Sequence, residues 1–232
     1  MNVLKSHLAL YFIFGALYFL STLMDWTYAS YFSKPLFIGA ICFHYIEESK
    51  KNINYYNCII LLFFFISGII NLLDGFGYFI YVLFFNFLAY CMLLLQVSKR
   101  LSHKKLRRIE KENYTSILLT FIFLACLLYI SILIVFDSSF ELHKVIVVYD
   151  SVLITFVFFA AFNYVTKLNQ KNTFLILYAL IIVICELFYG IYYYYYKLAF
   201  LRFTSIFCYI ISFYFLIQYF LKESSTTIKS KT

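Results

Sequence analysis

The amino-acid sequence predicts an all-α fold, a polytopic membrane bundle of eight transmembrane helices with both termini in the cytoplasm. Hydrophobic residues make up 64% of the 232 positions and charged residues only 13%, with a mean hydropathy of +0.87. A soluble domain carries about 25% charged residues. The apolar residues form continuous runs of about 20, the length that crosses a bilayer as a helix, and they lack the alternation typical of strands. Lipid is therefore the expected solvent for most of the chain.

Eight apolar segments are the predicted spans. They cover residues 7–24, 32–46, 56–73, 77–96, 115–136, 145–165, 173–192 and 198–221. We expect a single transmembrane domain over residues 1–221 and a disordered cytoplasmic tail over residues 222–232. The second segment is the weakest because Lys34 and Pro35 stand at its start. A proline is nevertheless tolerated in the first turn of a helix, because the N–H that it lacks would have no partner there anyway.

The basic residues give these spans an orientation. With eight spans, the N-terminus, the second, fourth and sixth loops and the C-terminus share one side, and that side holds 15 of the 19 Lys and Arg. Short basic loops stay in the cytoplasm. Both ends are therefore expected inside, in an integral multi-pass protein of a bacterial inner membrane.

The same composition excludes several classes of site. None of the six cysteines belongs to a Cys-x-x-Cys pair, so neither a disulfide framework nor a zinc site is indicated. The basic stretch at residues 99–113 is interpreted as a topology determinant attracted to anionic inner-leaflet lipids, in preference to a nucleic-acid site. We expect membrane lipids as partners, no nucleic acid, no metal and no cofactor.

Ionisable residues inside predicted spans are costly and usually face a cavity or a partner. The predicted orientation puts six of them in the outer third of the membrane or at its edge: Asp25, Lys34, Asp74, Asp150, Glu186 and Arg202. Asn71 shares a helix face with Asp74, and Glu186 and Arg202 also begin polar stripes. A polar pocket that opens toward the outer leaflet is the simplest interpretation. An alternative is that pairs such as Glu186 with Arg202, or Asp150 with Lys34, only fix helix packing.

Four short motifs resemble the YhhN/lysoplasmalogenase-like membrane family. Lys34-Pro35-Leu36 is similar to its Lys-Pro motif, and the sequence ISGIINLLD at residues 66–74 takes the place of its Gly-Asp motif. The run FLAYCMLL at residues 87–94 resembles its Ala-His stretch, with Tyr90 where the family has His. Cys185-Glu186 stands where the family has Ser-Asp.

The resemblance implies an eight-helix hydrolase of the vinyl ether bond of lysophospholipid-like ethers. The resemblance implies that Glu186 and Asp74 are the catalytic residues, with Asp150 as the alternative. A protonated carboxyl would donate to the vinyl ether carbon, and a carboxylate would stabilise the oxocarbenium ion and activate water. The substrate would be held by four further residues, Lys34, Asn71, Tyr90 and Arg202. Two other functions stay open: a small-molecule or lipid transporter or receptor, and a non-enzymatic membrane protein with structural ion pairs.

Overall fold

The computed structural model describes residues 4–73, 76–102, 111–136 and 143–229. Every regular element in these ranges is helical, as the sequence predicts. In chain order the α-helices are α1 (Leu4–Leu23), α2 (Thr27–Ser49), α3 (Tyr55–Ile70), α4 (Phe76–Ser102), α5 (Lys111–Phe136), α6 (His143–Thr166), α7 (Gln170–Gly190) and α8 (Ala199–Lys229). A 3₁₀ turn at Lys50–Asn52 follows α2, and a π-helical turn at Ile191–Tyr195 follows α7.

Each predicted span corresponds to one helix, but within the part of the chain that the structure describes only four helices are long and apolar enough to cross a membrane. Their qualifying stretches are Tyr78–Lys99, Lys144–Thr166, Gln170–Tyr193 and Ala199–Glu223. Among the described residues, α1, α3 and α5 contain shorter apolar stretches, at His7–Leu23, Tyr55–Ile70 and Ile117–Ile130. The chain is thus a helical protein with four candidate membrane spans.

Two boundaries differ from the sequence prediction. Helix α2 begins at Thr27, so Pro35 lies inside the helix and not in its first turn. Proline has no N–H to donate to the carbonyl four residues earlier, yet α2 continues on both sides of Pro35. Helix α8 continues to Lys229, beyond the predicted end of the last span at residue 221, and the disordered tail stays a prediction.

The chain divides into two compact units. The first comprises Met1–Ala89 and Phe213–Thr232, and the second comprises Tyr90–Ser212. Helix α4 therefore contributes its first half to the first unit and its second half to the second, and α8 does the reverse. A single transmembrane domain stays a prediction.

An antiparallel helix pair, α1 and α2, is the best defined part of the first unit. His7 Nδ1 lies 2.8 Å from Glu47 Oε2 at one end of the pair. At the other end, the Ser21 and Ser30 hydroxyls are 2.9 Å apart. Aromatic and aliphatic side chains fill the interior of this unit, and the fully buried ones include Phe37, Ile38, Ile41, Tyr45, Phe213 and Phe220.

The second unit is built on α6 and α7, with a short polar connection between them. Asn169 caps α7 by accepting a hydrogen bond from the Asn172 backbone N–H at 2.8 Å. The buried Asn172 amide donates in turn to the carbonyls of Asn163 and Lys167 at the end of α6, both at 2.8 Å. These bonds give a side-chain partner to two carbonyls at the end of α6, where a helix end leaves acceptors to be satisfied, and they tie the start of α7 to it.

Candidate functional site

A carboxyl group hydrogen-bonded by tyrosines is the main polar feature that the structure describes inside the second unit. Glu186 lies on α7, one turn before its end. The Tyr90 hydroxyl from α4 donates to Glu186 Oε1 at 3.1 Å, and the Tyr149 hydroxyl from α6 donates to the same oxygen at 3.0 Å. Three helices therefore meet at one carboxylate oxygen.

The side chains around this carboxyl are closely packed. The Tyr90 and Tyr149 rings meet edge to face with centroids 5.7 Å apart. Both rings are buried, with 1% and 3% of their surface exposed, and Tyr178 on α7 is equally buried at 1%. The Tyr178 ring packs against the Phe156 ring with centroids 5.9 Å apart, and the Phe156 ring in turn lies 6.5 Å from the Tyr90 ring. We call Tyr90, Tyr149, Tyr178 and Glu186 the Glu186 cluster.

A second carboxyl lies near the cluster. Asp150, the neighbour of Tyr149 on α6, is close enough to Glu186 for the two groups to interact electrostatically. Its side chain is half-buried. Of the seven predicted site residues, the structure thus joins Glu186 and Tyr90 by a hydrogen bond, and Asp150 lies within electrostatic range of Glu186.

The remaining predicted site residues have different surroundings. Lys34 is buried in the first unit at 4% exposure, with Nζ 5.5 Å from the centroid of the Tyr18 ring. Asn71 is exposed at the end of α3. Arg202 is half-buried in the first turn of α8, in the second unit. Asp74 lies outside the described residues, so its catalytic role stays a prediction.

Sequence reasoning missed Tyr149 and Tyr178. Both are among 24 tyrosines, and a tyrosine in a membrane span is usually interpreted as an interfacial residue. The available signal was spacing, since Tyr178, Ile182 and Glu186 follow one another at intervals of four on one face of α7. Tyr149 had no such signal, because its approach to Glu186 depends on how α6 packs against α7.

Asp25, predicted to be one of the charges near the outer pocket, has a structural role at the end of α1. Its φ is 54°, in the left-handed region. The Trp26 N–H donates to the Ser21 carbonyl at 2.8 Å, and the Asp25 N–H donates to the Thr22 carbonyl at 3.4 Å. This pair of bonds is the Schellman arrangement that ends a helix. Asp25 therefore helps to turn the chain from α1 into α2.

Metal binding is not supported by the described residues, among which His, Cys, Asp and Glu form no group of three that could hold an ion. The thiol of Cys185, next to Glu186, instead lies 3.5 Å from the Ser205 hydroxyl of α8. Cys185 therefore links α7 to α8.

Over the described residues, the fold and the cluster define a class: an all-helical protein that has four candidate membrane spans and a half-buried carboxyl bonded by buried tyrosines. No protein-family model, curated protein or solved structure matches the chain. The resemblance to lysoplasmalogenases therefore stays a prediction that depends on the four short motifs.

Proposed function

We propose that the chain is an integral membrane protein in which all eight helices cross the bilayer, with both termini in the cytoplasm of a bacterial cell. Large apolar side chains on the outer surface support a lipid environment, among them Leu119, Phe121 and Phe123 on α5, each more than half exposed. Soluble monomers rarely expose contiguous apolar patches of more than a few hundred Å².

The basic residues favour eight crossings over four. If only α4, α6, α7 and α8 crossed, the basic segment between α4 and α5 would lie on the side opposite the N-terminus. Seven Lys and Arg between residues 99 and 111 would then be separated from Lys5, Lys50 and Lys51. Eight crossings put all of these on one side, as the preference of basic loops for the cytoplasm requires.

Within this protein, we propose that the Glu186 cluster is the catalytic centre of a hydrolase acting on the vinyl ether bond of lysophospholipid-like ethers. The observation that carries the proposal is that both tyrosine hydroxyls donate to Glu186 Oε1. A carboxylate oxygen has two lone pairs, and both are used at Oε1. The proton of the acid form is therefore expected on Oε2, which gives the carboxyl one defined donor.

In the proposed reaction, Glu186 acts as the general acid. Oε2–H gives its proton to the vinyl carbon that is not bonded to oxygen, and the electrons of the C=C bond form the new C–H bond, leaving an oxocarbenium ion. Water adds to the cationic carbon and loses a proton to the Asp150 carboxylate. As the hemiacetal breaks its bond to the lysophospholipid oxygen, its O–H returns a proton to the Glu186 carboxylate. The released oxygen takes the proton held by Asp150, so that aldehyde and alcohol form and both carboxyls regain their starting states. In a membrane span, such a pair of carboxyls suits general acid–base chemistry.

The test is aldehyde release by purified protein in lipid nanodiscs. A lysophospholipid with a vinyl ether chain is the substrate, and the saturated alkyl ether analogue, which has no C=C bond to protonate, is the substrate control. We expect release from the first only. Glu186→Gln should reduce kcat by at least about 100-fold, the usual contribution of general acid catalysis. Glu48→Gln, the same change in the first unit, should leave the rate unchanged.

Two results would contradict the proposal: no aldehyde from the wild-type protein, or wild-type rates from Glu186→Gln. The Asp150–Glu186 pair also fits the proton-binding site of a transporter, which is the second candidate. Proton-coupled uptake into liposomes without aldehyde release would support that candidate. A purely structural cluster would be the better explanation if neither aldehyde release nor proton-coupled uptake were detected, and if neutralising Asp150 and Glu186 together unfolded the protein.

A further inference from the structure

Both tyrosine hydroxyls that bind Glu186 donate to the same carboxyl oxygen. Tyr90 reaches Oε1 at 3.1 Å and Tyr149 reaches it at 3.0 Å. The two rings come from different helices and meet edge to face, with centroids 5.7 Å apart. Their exposed fractions are only 1% and 3%, so packing holds each hydroxyl in place. The carboxyl therefore has two donors at fixed positions on one of its oxygens.

The strength of these two bonds depends on the protonation state of Glu186. A hydrogen bond to an ionised acceptor is shorter and about twice as strong as one between neutral groups. In a buried site each such bond is also electrostatically stronger than in water. Both bonds therefore strengthen when Glu186 loses its proton. Donors that are already in place where charge develops stabilise that charge without any reorganisation.

We propose that Tyr90 and Tyr149 are positioning residues that stabilise the carboxylate left on Glu186 when it gives its proton to the substrate. They act on the acid and not on the substrate, which differs from the substrate-binding role expected for Tyr90. The proton leaves Oε2, and the negative charge is shared with Oε1, where both hydroxyls bind it and keep their own protons. The inference deepens the proposed function and relies on it only for the effect on turnover.

The kinetic test changes each tyrosine to phenylalanine in the full-length protein in nanodiscs, with the vinyl ether lysophospholipid as substrate. One hydrogen bond gains about 1 kcal/mol when its acceptor becomes charged, so Tyr90→Phe and Tyr149→Phe should each lower kcat about fivefold with KM unchanged. Tyr219→Phe, the same change at a completely buried tyrosine of the first unit, should leave kcat unchanged. A raised KM at unchanged kcat in Tyr90→Phe would overturn the proposal, because it would indicate contact with the substrate.

A second substitution separates stabilisation of the carboxylate from helix packing, since the same two bonds also join α4 and α6 to α7. 3-Fluorotyrosine at position 149 keeps the shape of the ring and makes its hydroxyl a stronger donor. If this hydroxyl stabilises the carboxylate, kcat should rise above that of the wild-type protein. A bond that only holds the helices together predicts no increase, so an unchanged kcat would overturn the proposal. The same variant provides the test if Tyr149→Phe does not fold.

Infrared difference spectroscopy tests the two bonds without turnover. The C=O band of protonated Glu186 is identified as the one lost in Glu186→Gln. A donor on a carbonyl oxygen weakens the C=O bond, so Tyr90→Phe and Tyr149→Phe should each move this band to higher frequency. Tyr219→Phe should leave it in place. An unmoved band in either of the first two variants would overturn the proposal.

The two readouts distinguish a failure of this inference from a failure of the proposed function. Shifted bands in a protein that releases no aldehyde would support the paired donors and refute the hydrolase. Aldehyde release at the wild-type rate by both phenylalanine variants, with unmoved bands, would refute the paired donors and leave the hydrolase standing.

Discussion

At the scale of single residues, the structure separates charges that the sequence treated alike. Glu186 and Asp25 are both acids that the sequence places near the outer end of a predicted span. Glu186 accepts two tyrosine hydroxyls inside the second unit, whereas Asp25 occupies a left-handed backbone position that closes α1. The first is a candidate for chemistry, and the second is explained by helix termination.

The Asp25 interpretation predicts an effect on stability. An L-residue with a Cβ pays about 1 kcal/mol in the left-handed region, and glycine does not. Asp25→Gly should therefore be more stable than Asp25→Ala by about 1 kcal/mol. Thermal unfolding in detergent, followed by the fluorescence of the single tryptophan, Trp26, would measure the difference. Equal stability of the two variants would argue against a conformational role for Asp25.

At the scale of elements, the connection between α6 and α7 determines where Glu186 stands. The sequence predicts both helices and their polar loop, and Asn169 is a typical helix-capping residue. It does not predict that the Asn172 side chain, buried at 4% exposure, turns back to two carbonyls of the preceding helix end. Tyr149 and Glu186 can meet only because this connection aligns α6 with α7.

Asn172→Ala should therefore affect both stability and the site. Two hydrogen bonds are lost, and two carbonyls at the end of α6 lose a partner, so we expect a destabilisation of about 1–3 kcal/mol. The infrared band of Glu186 should broaden as well, because α6 and α7 lose their fixed alignment. Asn169→Ala is the matched control: it removes a cap worth about 1 kcal/mol but leaves the Asn172 side-chain bonds in place. A sharp, unshifted band in Asn172→Ala would contradict this account.

At the scale of the whole molecule, the open question is which helices cross the bilayer. Four are long and apolar enough among the described residues, while α2 contains Lys34, Glu47 and Glu48. Eight crossings and four crossings place both termini on the same side, so the termini do not distinguish them. The segment between α4 and α5 does.

Reporter fusions provide the decisive measurement. With eight crossings, a reporter that is active only in the cytoplasm should be active when fused after residue 105 and also after residue 51, and inactive when fused after Asp25. With four crossings, the fusions after Asp25 and after residue 51 should behave alike, and the fusion after residue 105 should behave oppositely. The second pattern would refute the eight-span topology.

The sequence by itself determined the helical class and the approximate position of each described helix, and it singled out Glu186 as a candidate site residue. These properties depend on local features: apolar run length, loop charge and the cost of a carboxyl in lipid. Only the tertiary structure decided that Tyr149 and Tyr90 donate to one oxygen of Glu186, that Asp150 is its neighbour, and that Asp25 ends a helix. Those facts depend on the rotation and alignment of packed helices and on a backbone angle. The hydrophobic pattern of the sequence does not determine these quantities, because many rotations of a helix about its axis bury a similar apolar area.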